Sequence, residues 1–222
     1  MEEFKLGKLR YLIRYPEGFS KDEKRPALIF LHGAGTRGDD MQKLRDNTFF
    51  KHYASHEGLP FVVFAPLCTE NTWFDLFEHL EEFVKMIANL PYIDEKRICL
   101  TGNSMGGYGA WQLAMSMPEY FAALAPVCGG GMYWNAARLV NVPVWAFHGE
   151  LDNCVFPDES QKMVNGVKSV GGNAKLTLYP NTWHDAWTPT YSNREVYEWM
   201  LQFESNCTVE LKDEYSDSKI YG

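Results

Sequence analysis

Gly102-Asn103-Ser104-Met105-Gly106 carries residue types for nucleophilic catalysis at a spacing that could deliver it. A serine hydroxyl is a weak nucleophile, so it needs a fixed, exposed position and a base beside it. A G-x-S-x-G run at a sharp strand-to-helix turn supplies the position. Its glycines sit where the two backbones crowd together, and the helix N-terminus offers unpaired N–H groups behind the serine. Those groups suit the negative oxygen formed when a carbonyl is attacked. A plain serine in a glycine-rich turn shares the pattern, so the flanks decide. Residues 97–100 are apolar enough for a buried strand, and 105–117 repeat apolar residues at helical spacing up to Pro118.

A serine nucleophile needs a histidine base, and the base needs a carboxylate to orient it and balance its cation. Six histidines compete. His52, His56 and His79 fall in polar or helical segments and read as surface residues. His32 and His148 end expected strands and precede Gly33 and Gly149, which suits side chains that hold loop backbone in place. His184 follows an expected strand and the loop Pro180-Asn181-Thr182-Trp183, and precedes the last helix. In nucleophile-elbow hydrolases the chain order is serine, acid, histidine, and only His184 leaves room for a strand and an acid after Ser104. The acid should then leave the strand ending in His148-Gly149-Glu150-Leu151-Asp152. Asp152 is preferred and Glu150 is its rival. Asp185 adjoins His184 and should point away from it, and Asp158 reads as a helix start.

An oxyanion needs two converging N–H groups. Met105, next after the nucleophile, offers one. The small residues of His32-Gly33-Ala34-Gly35 let backbone approach a substrate closely, and Ala34 is the expected second donor. An ordinary glycine turn is the competing reading of that loop.

The elements that must position these residues alternate along the chain. Strand patterns fall at 9–15, 26–31, 61–66, 97–100, 121–128, 142–147 and 174–179. Helical patterns fall at 74–90, 105–117, 157–170 and 194–203. Repeated β–α alternation implies an α/β fold, a mostly parallel sheet with helices on both faces and its chemistry at the carboxyl ends of the strands. Residues 1–204 read as one domain and 205–222 as a polar, acidic C-terminal tail.

Composition narrows the partners. The 222 residues are 45% hydrophobic and carry a net charge of −8. No basic stripe exists to neutralise phosphates, so no nucleic-acid partner is expected. No apolar run is long enough to span a membrane. Residues 1–16 lack a basic start followed by an apolar core, so a cytoplasmic protein is expected. Five cysteines without a C-x-x-C pair read as reduced, buried thiols, and no metal-ligand spacing is present.

Leu31-His32-Gly33-Ala34-Gly35, Gly102-Asn103-Ser104-Met105-Gly106-Gly107, His148-Gly149-Glu150-Leu151-Asp152 and His184-Asp185-Ala186-Trp187 together resemble the α/β-hydrolase superfamily. More narrowly, they resemble lidless phospholipase/carboxylesterase-type esterases and the catalytic domain of the prolyl oligopeptidase group. The resemblance runs from about Pro26 to Phe203. It implies a Ser104–His184–Asp152 hydrolase that needs no cofactor, with Met105 and Ala34 amides at the oxyanion. It further implies a small-molecule ester substrate, with lipid-type esters and acetyl or hydroxycinnamoyl esters on carbohydrate both open. A serine peptidase acting on short peptides and an inactive binding module are the alternatives. Between Cys128 and Val142 there is no room for an inserted helical lid, so loops should wall an open site. Trp73, Trp134 and Trp187 are expected to line that groove beside Gly35, with plain loop packing as the equal alternative.

Overall fold

The computed structural model describes residues 1–207; the expected tail falls mainly at 208–222, outside the described residues. Eight strands form one sheet: β1 (Glu2–Leu6), β2 (Leu9–Arg14), β3 (Arg25–Leu31), β4 (Val62–Pro66), β5 (Ile93–Asn103), β6 (Phe121–Val127), β7 (Val144–Gly149) and β8 (Ala174–Tyr179). Their spatial order is β1-β2-β4-β3-β5-β6-β7-β8. The β1–β2 and β2–β4 pairings are antiparallel and the others parallel. This is the α/β-hydrolase fold, and no lid domain interrupts it: the β6–β7 connection holds only a short 3-10 segment, Tyr133–Leu139.

Strand alternation splits the core into two layers. Ala27, Ile29 and Leu31 of β3 face one way, with Leu80 and Phe83 of α3 (Phe77–Asn89), Trp111 of α4 (Met105–Ser116) and Met163 of α5 (Asp158–Ser169). Leu28 and Phe30 face the other way, with Leu44 and Phe49 from the short helices Met41–Arg45 and Thr48–Ala54. Tyr191 and Tyr197, from the C-terminal helices Trp187–Tyr191 and Arg194–Met200, complete that second layer. A period of two in each strand thus feeds both faces, as a parallel sheet covered by helices requires.

Three local features depart from the sequence reading. β1 was not anticipated. It hangs on β2 through a turn in which Gly7 takes φ 55°, and its residues are mostly exposed, so it lacks the apolar signature of a buried strand. The helical pattern beginning at Phe74 opens instead as a 3-10 turn, Trp73–Leu76, closed by a reciprocal Thr72–Asp75 capping box before α3 starts. β5 begins at Ile93, ahead of the expected start at 97, and this is the strand that delivers Ser104. At the far end, the Ser205 amide donates to Lys96 O at 2.8 Å and Cys207 is buried. No helix among the described residues is long and apolar enough to cross a membrane. Four of the five cysteines are buried as expected, and Cys154 is exposed.

Candidate active site

Ser104 sits between β5 and α4 at φ 55°, ψ −119°, a left-handed conformation that strains a non-glycine residue by about 1–3 kcal/mol. Its amide donates to Val127 O at 2.9 Å, tying the turn to the neighbouring strand. The sharpness of the turn depends on absent side chains. A Cβ on Gly106 would lie 1.9 Å from Leu31 O, and one on Gly102 would lie 2.3 Å from Gly106 O. Backbone on both sides leaves nothing free to move.

Asp152 leaves β7 in a loop held over the end of the sheet. Its Oδ1 accepts from the amides of Cys154 and Val155 at 2.9 and 3.0 Å. Its Oδ2 lies 2.7 Å from His184 Nδ1, and His184 Nε2 lies 2.9 Å from Ser104 Oγ. Burial pushes the Asp152 carboxyl up. The His184 hydrogen bond and the Val155 and Cys154 amides outweigh it, so the group sits below its ordinary value and stays ionised. Gly149 matters here, because a Cβ on it would lie 2.0 Å from Trp183 O. Its bare backbone lets the histidine loop cross the end of β7. The other candidates fall elsewhere: Glu150 is exposed, while Asp185 caps the following helix by accepting from Thr188 N and Oγ1 at 3.0 and 2.9 Å.

His32 holds backbone, as its place at the end of β3 suggested. Its Nδ1 donates to Gly33 O at 2.8 Å, and its Nε2 accepts from the Cys68 amide at 3.0 Å. Burial lowers its pKa to about 4; the Gly33 bond opposes this and the Arg37 charge adds to it. His52 and His56 bind Ser192 Oγ and Tyr191 O, and so pin two surface helices together. The loop after His32 turns at once into a 3-10 segment, Ala34–Thr36, and α4 begins at Met105. The Ala34 and Met105 amides therefore occupy first helical positions, which have no intrahelical acceptor.

A cavity of about 740 Å³ opens between this loop, Ser104, His184 and Trp187. Gly35 and Trp187 line it, and Trp187 packs edge-on to the His184 ring at 5.3 Å. Its far wall carries Asp40, Gln42, Lys43, Asp46 and Thr48, which the sequence reading missed because a polar helical segment gives no motif. Cys154 also lines it. Trp73 requires a correction. It is fully buried behind the His32 loop, its Nε1 donates to His32 O at 3.0 Å, and it lies against Gly109, whose missing side chain admits it. Trp134 lines neither this cavity nor a second one; it is 72% exposed and packs edge-on against Tyr133. The second, apolar hollow of about 560 Å³ lies beside α4, walled by Phe74, Phe77, Tyr108 and Met132.

Cys128, Asp152 and His184 place ligand-type atoms within 4.8 Å of one another. The donor set suits the hydrogen-bonded site better than a metal cage. Burial pushes the Cys128 thiol far up, and Asp152 and His184 already bind each other.

Residues 63–198 match the dienelactone hydrolase family. The chain belongs to that family. The match spans Ser104, Asp152 and His184, whereas the His32-Gly33-Ala34-Gly35 loop precedes it. Among solved structures of this fold, a thermostable esterase is 32% identical with a TM-score of 0.78, over 91% of this chain and 62% of that one. Est1E from Butyrivibrio proteoclasticus, 16% identical with a TM-score of 0.68 over 90% and 97% of the two chains, shares the fold. The bifunctional acetylxylan esterase/xylanase XynS20E from Neocallimastix patriciarum is 28% identical over 135 residues, 58% of this chain and 19% of its own length. The inactive dipeptidyl peptidase 10 of Mus musculus is 26% identical over 161 residues, 60% of this chain and 20% of its own length. The chain spans about a fifth of the length of these curated relatives.

Proposed function

We propose that the chain is a serine ester hydrolase that works through an acyl-enzyme. The observation that carries this is the unbroken sequence of contacts from Asp152 Oδ2 through the His184 ring to Ser104 Oγ, at 2.7 and 2.9 Å. In this reading His184 Nε2 takes the proton of Ser104 as Oγ attacks the ester carbonyl. Asp152 keeps the hydrogen on Nδ1, so that Nε2 can accept, and balances the imidazolium. The Ala34 and Met105 amides receive the oxyanion. His184 then protonates the departing alcohol, and water repeats the sequence to free the acid and restore Ser104.

The alcohol half of the ester is polyhydroxylated in this reading. The cavity beside Ser104 is large enough for a drug-sized ligand. Its lining mixes acceptors at Asp40 and Asp46 with donors at Lys43 and Gln42, and includes the aromatic ring of Trp187. A polyhydroxylated alcohol offers such a lining more partners than an alkyl one does, beyond the bonds that Gln42 already makes to Asp46 and Asp40. The relative named as an acetylxylan esterase/xylanase points the same way.

Labelling with a fluorophosphonate, together with hydrolysis of acetyl esters of a sugar and of a simple alcohol, tests the reading. Labelling at Ser104 and faster turnover of the sugar ester support it. A folded protein that is neither labelled nor active would make the chain a binding module. The peptidyl-peptidase relatives supply a second reading, a serine peptidase; faster cleavage of an amide than of the matched ester would favour it.

A further inference from the structure

His148 and Ser160 have no part in the steps above, yet both are fully buried, and His148 reaches the carboxylate of Asp152. His148 Nε2 lies 2.9 Å from Val155 O and 3.2 Å from Asp152 Oδ2, the same oxygen that His184 approaches. On the other side of the ring, Nδ1 lies 2.7 Å from Ser160 Oγ, which is 2.9 Å from Gly129 O. Two acceptors face Nε2, so that nitrogen must carry hydrogen. Burial disfavours a second proton on the ring, and the Ser160 hydroxyl, which donates to Gly129 O, sits against Nδ1 and fixes the place of the ring. Asp152 therefore meets four donors: two amides on Oδ1 and two imidazoles on Oδ2.

We propose that His148, its ring held in place by Ser160, is a positioning residue for ester hydrolysis, holding Asp152 Oδ2 where His184 Nδ1 needs it. The proposal rests on the Ser104–His184–Asp152 reading. Without the Ser160 hydroxyl, the His148 ring would lose its contact at Nδ1 and could turn. Nε2 would then leave the carboxylate and Val155 O, and Oδ2 would lose its second imidazole. A histidine that only anchored the loop to Val155 O would affect stability and leave the chemistry alone.

Steady-state hydrolysis of p-nitrophenyl acetate separates these roles, using His148→Ala, His148→Gln and Ser160→Ala in the full chain. His148→Ala is expected to lower kcat about 10- to 100-fold, since a misplacement on the order of 1 Å costs about that much. KM should change by less than about threefold, because no substrate contact is removed. His148→Gln keeps a donor and should recover most of the rate, and Ser160→Ala should lose an intermediate amount. Turnover within about twofold of wild type in both alanine variants would overturn the proposal. A glutamine variant as slow as the alanine variant would do the same. If His148→Ala fails to fold, Ser160→Ala, which removes one oxygen, decides alone. Fluorophosphonate labelling of the wild type keeps the two readings apart: an unlabelled wild type sinks the triad, whereas a labelled, active wild type beside silent variants sinks only this inference.

Discussion

Asp152→Asn should remove ester hydrolysis through the wrong histidine tautomer, and the surrounding hydrogen bonds say which way the new amide turns. The oxygen now at Oδ1 accepts from the Cys154 and Val155 amides at 2.9 and 3.0 Å. Those two donors cannot face an NH₂ group, so the amide oxygen of asparagine must take the Oδ1 place. The NH₂ then stands where Oδ2 stood, 2.7 Å from His184 Nδ1. It donates to Nδ1 and drives the imidazole hydrogen to Nε2, which can no longer accept from Ser104. The same change removes the negative charge that balances the imidazolium. Loss of both functions costs on the order of 10⁴-fold in kcat, or about 5.5 kcal/mol at 1.36 kcal/mol per decade. Steady-state kinetics on an aryl acetate measures it, with circular dichroism to confirm folding. Glu150→Gln is the control, because Glu150 is exposed and its amide only continues the sheet by donating to Tyr179 O. A loss below about 10²-fold in a folded Asp152→Asn protein, or an equal loss in Glu150→Gln, would refute the reasoning.

Ser104→Ala should abolish hydrolysis and labelling while leaving the melting temperature unchanged or raised, since alanine removes no buried contact; ordinary activity in the folded variant would contradict the mechanism. Gly106→Ala should prevent the turn from forming, because its Cβ would lie 1.9 Å from Leu31 O, and should show as insoluble or inactive protein on expression. Trp187→Ala should raise KM for aryl or bulky esters about tenfold more than for acetyl esters, as losing on the order of 60 Å² of apolar contact costs about 1.5 kcal/mol. A uniform fall in kcat across such a series would mean that Trp187 acts by packing against His184. Stability should fall as pH drops from about 6.5 to about 4, because the unfolded chain protonates His32 first while the native state, with Nε2 accepting from Cys68, resists until about 4. The loss approaches about 3 kcal/mol, and urea titrations of His32→Asn across that range should show a shallower slope.

The parts legible in the sequence were those whose chemistry is local. The turn at Ser104 needs glycine at two fixed offsets, so its pattern appears in five residues. Strands β3, β4, β6 and β7 and the second half of β5 are buried almost throughout and stand out as short apolar runs. β1 was hidden because an exposed edge strand shows no such run, and its place depends on pairing with β2. Trp73 was misread for a related reason. A tryptophan in a loop looks like a groove residue until its indole hydrogen bond to His32 O and the space beside Gly109 are known, and both belong to distant parts of the chain. The contact between His148 and Asp152 was also out of reach. His148 was read as a residue that holds backbone, which it does through Val155 O. Its approach to Oδ2 depends on how the loop folds back, and no spacing rule encodes that.

The two loops that carry Asp152 and His184 behave as one unit, and this explains why the two residues meet although neither lies in a regular element. The Leu151 amide donates to Thr182 O at 2.9 Å, and the Glu150 amide donates to Tyr179 O at 3.0 Å. The end of β7 and the end of β8 are thus laced together just before each functional residue. Asn181 takes φ 56° to bring the chain back over Gly149, where no Cβ obstructs it. Ser104 is fixed separately, by its amide bond to Val127 O and by the packing of Gly106 on Leu31. Ser104 therefore belongs to the β3–β5–β6 centre of the sheet and the Asp152–His184 pair to its β7–β8 edge. The contact between His184 Nε2 and Ser104 Oγ joins the two parts, so it is the distance most exposed to any shift of the edge strands against the centre. A change that loosens β8 without touching the site, such as a proline at Thr177 in place of the residue paired with Phe147, should lower kcat through that contact before it unfolds the protein.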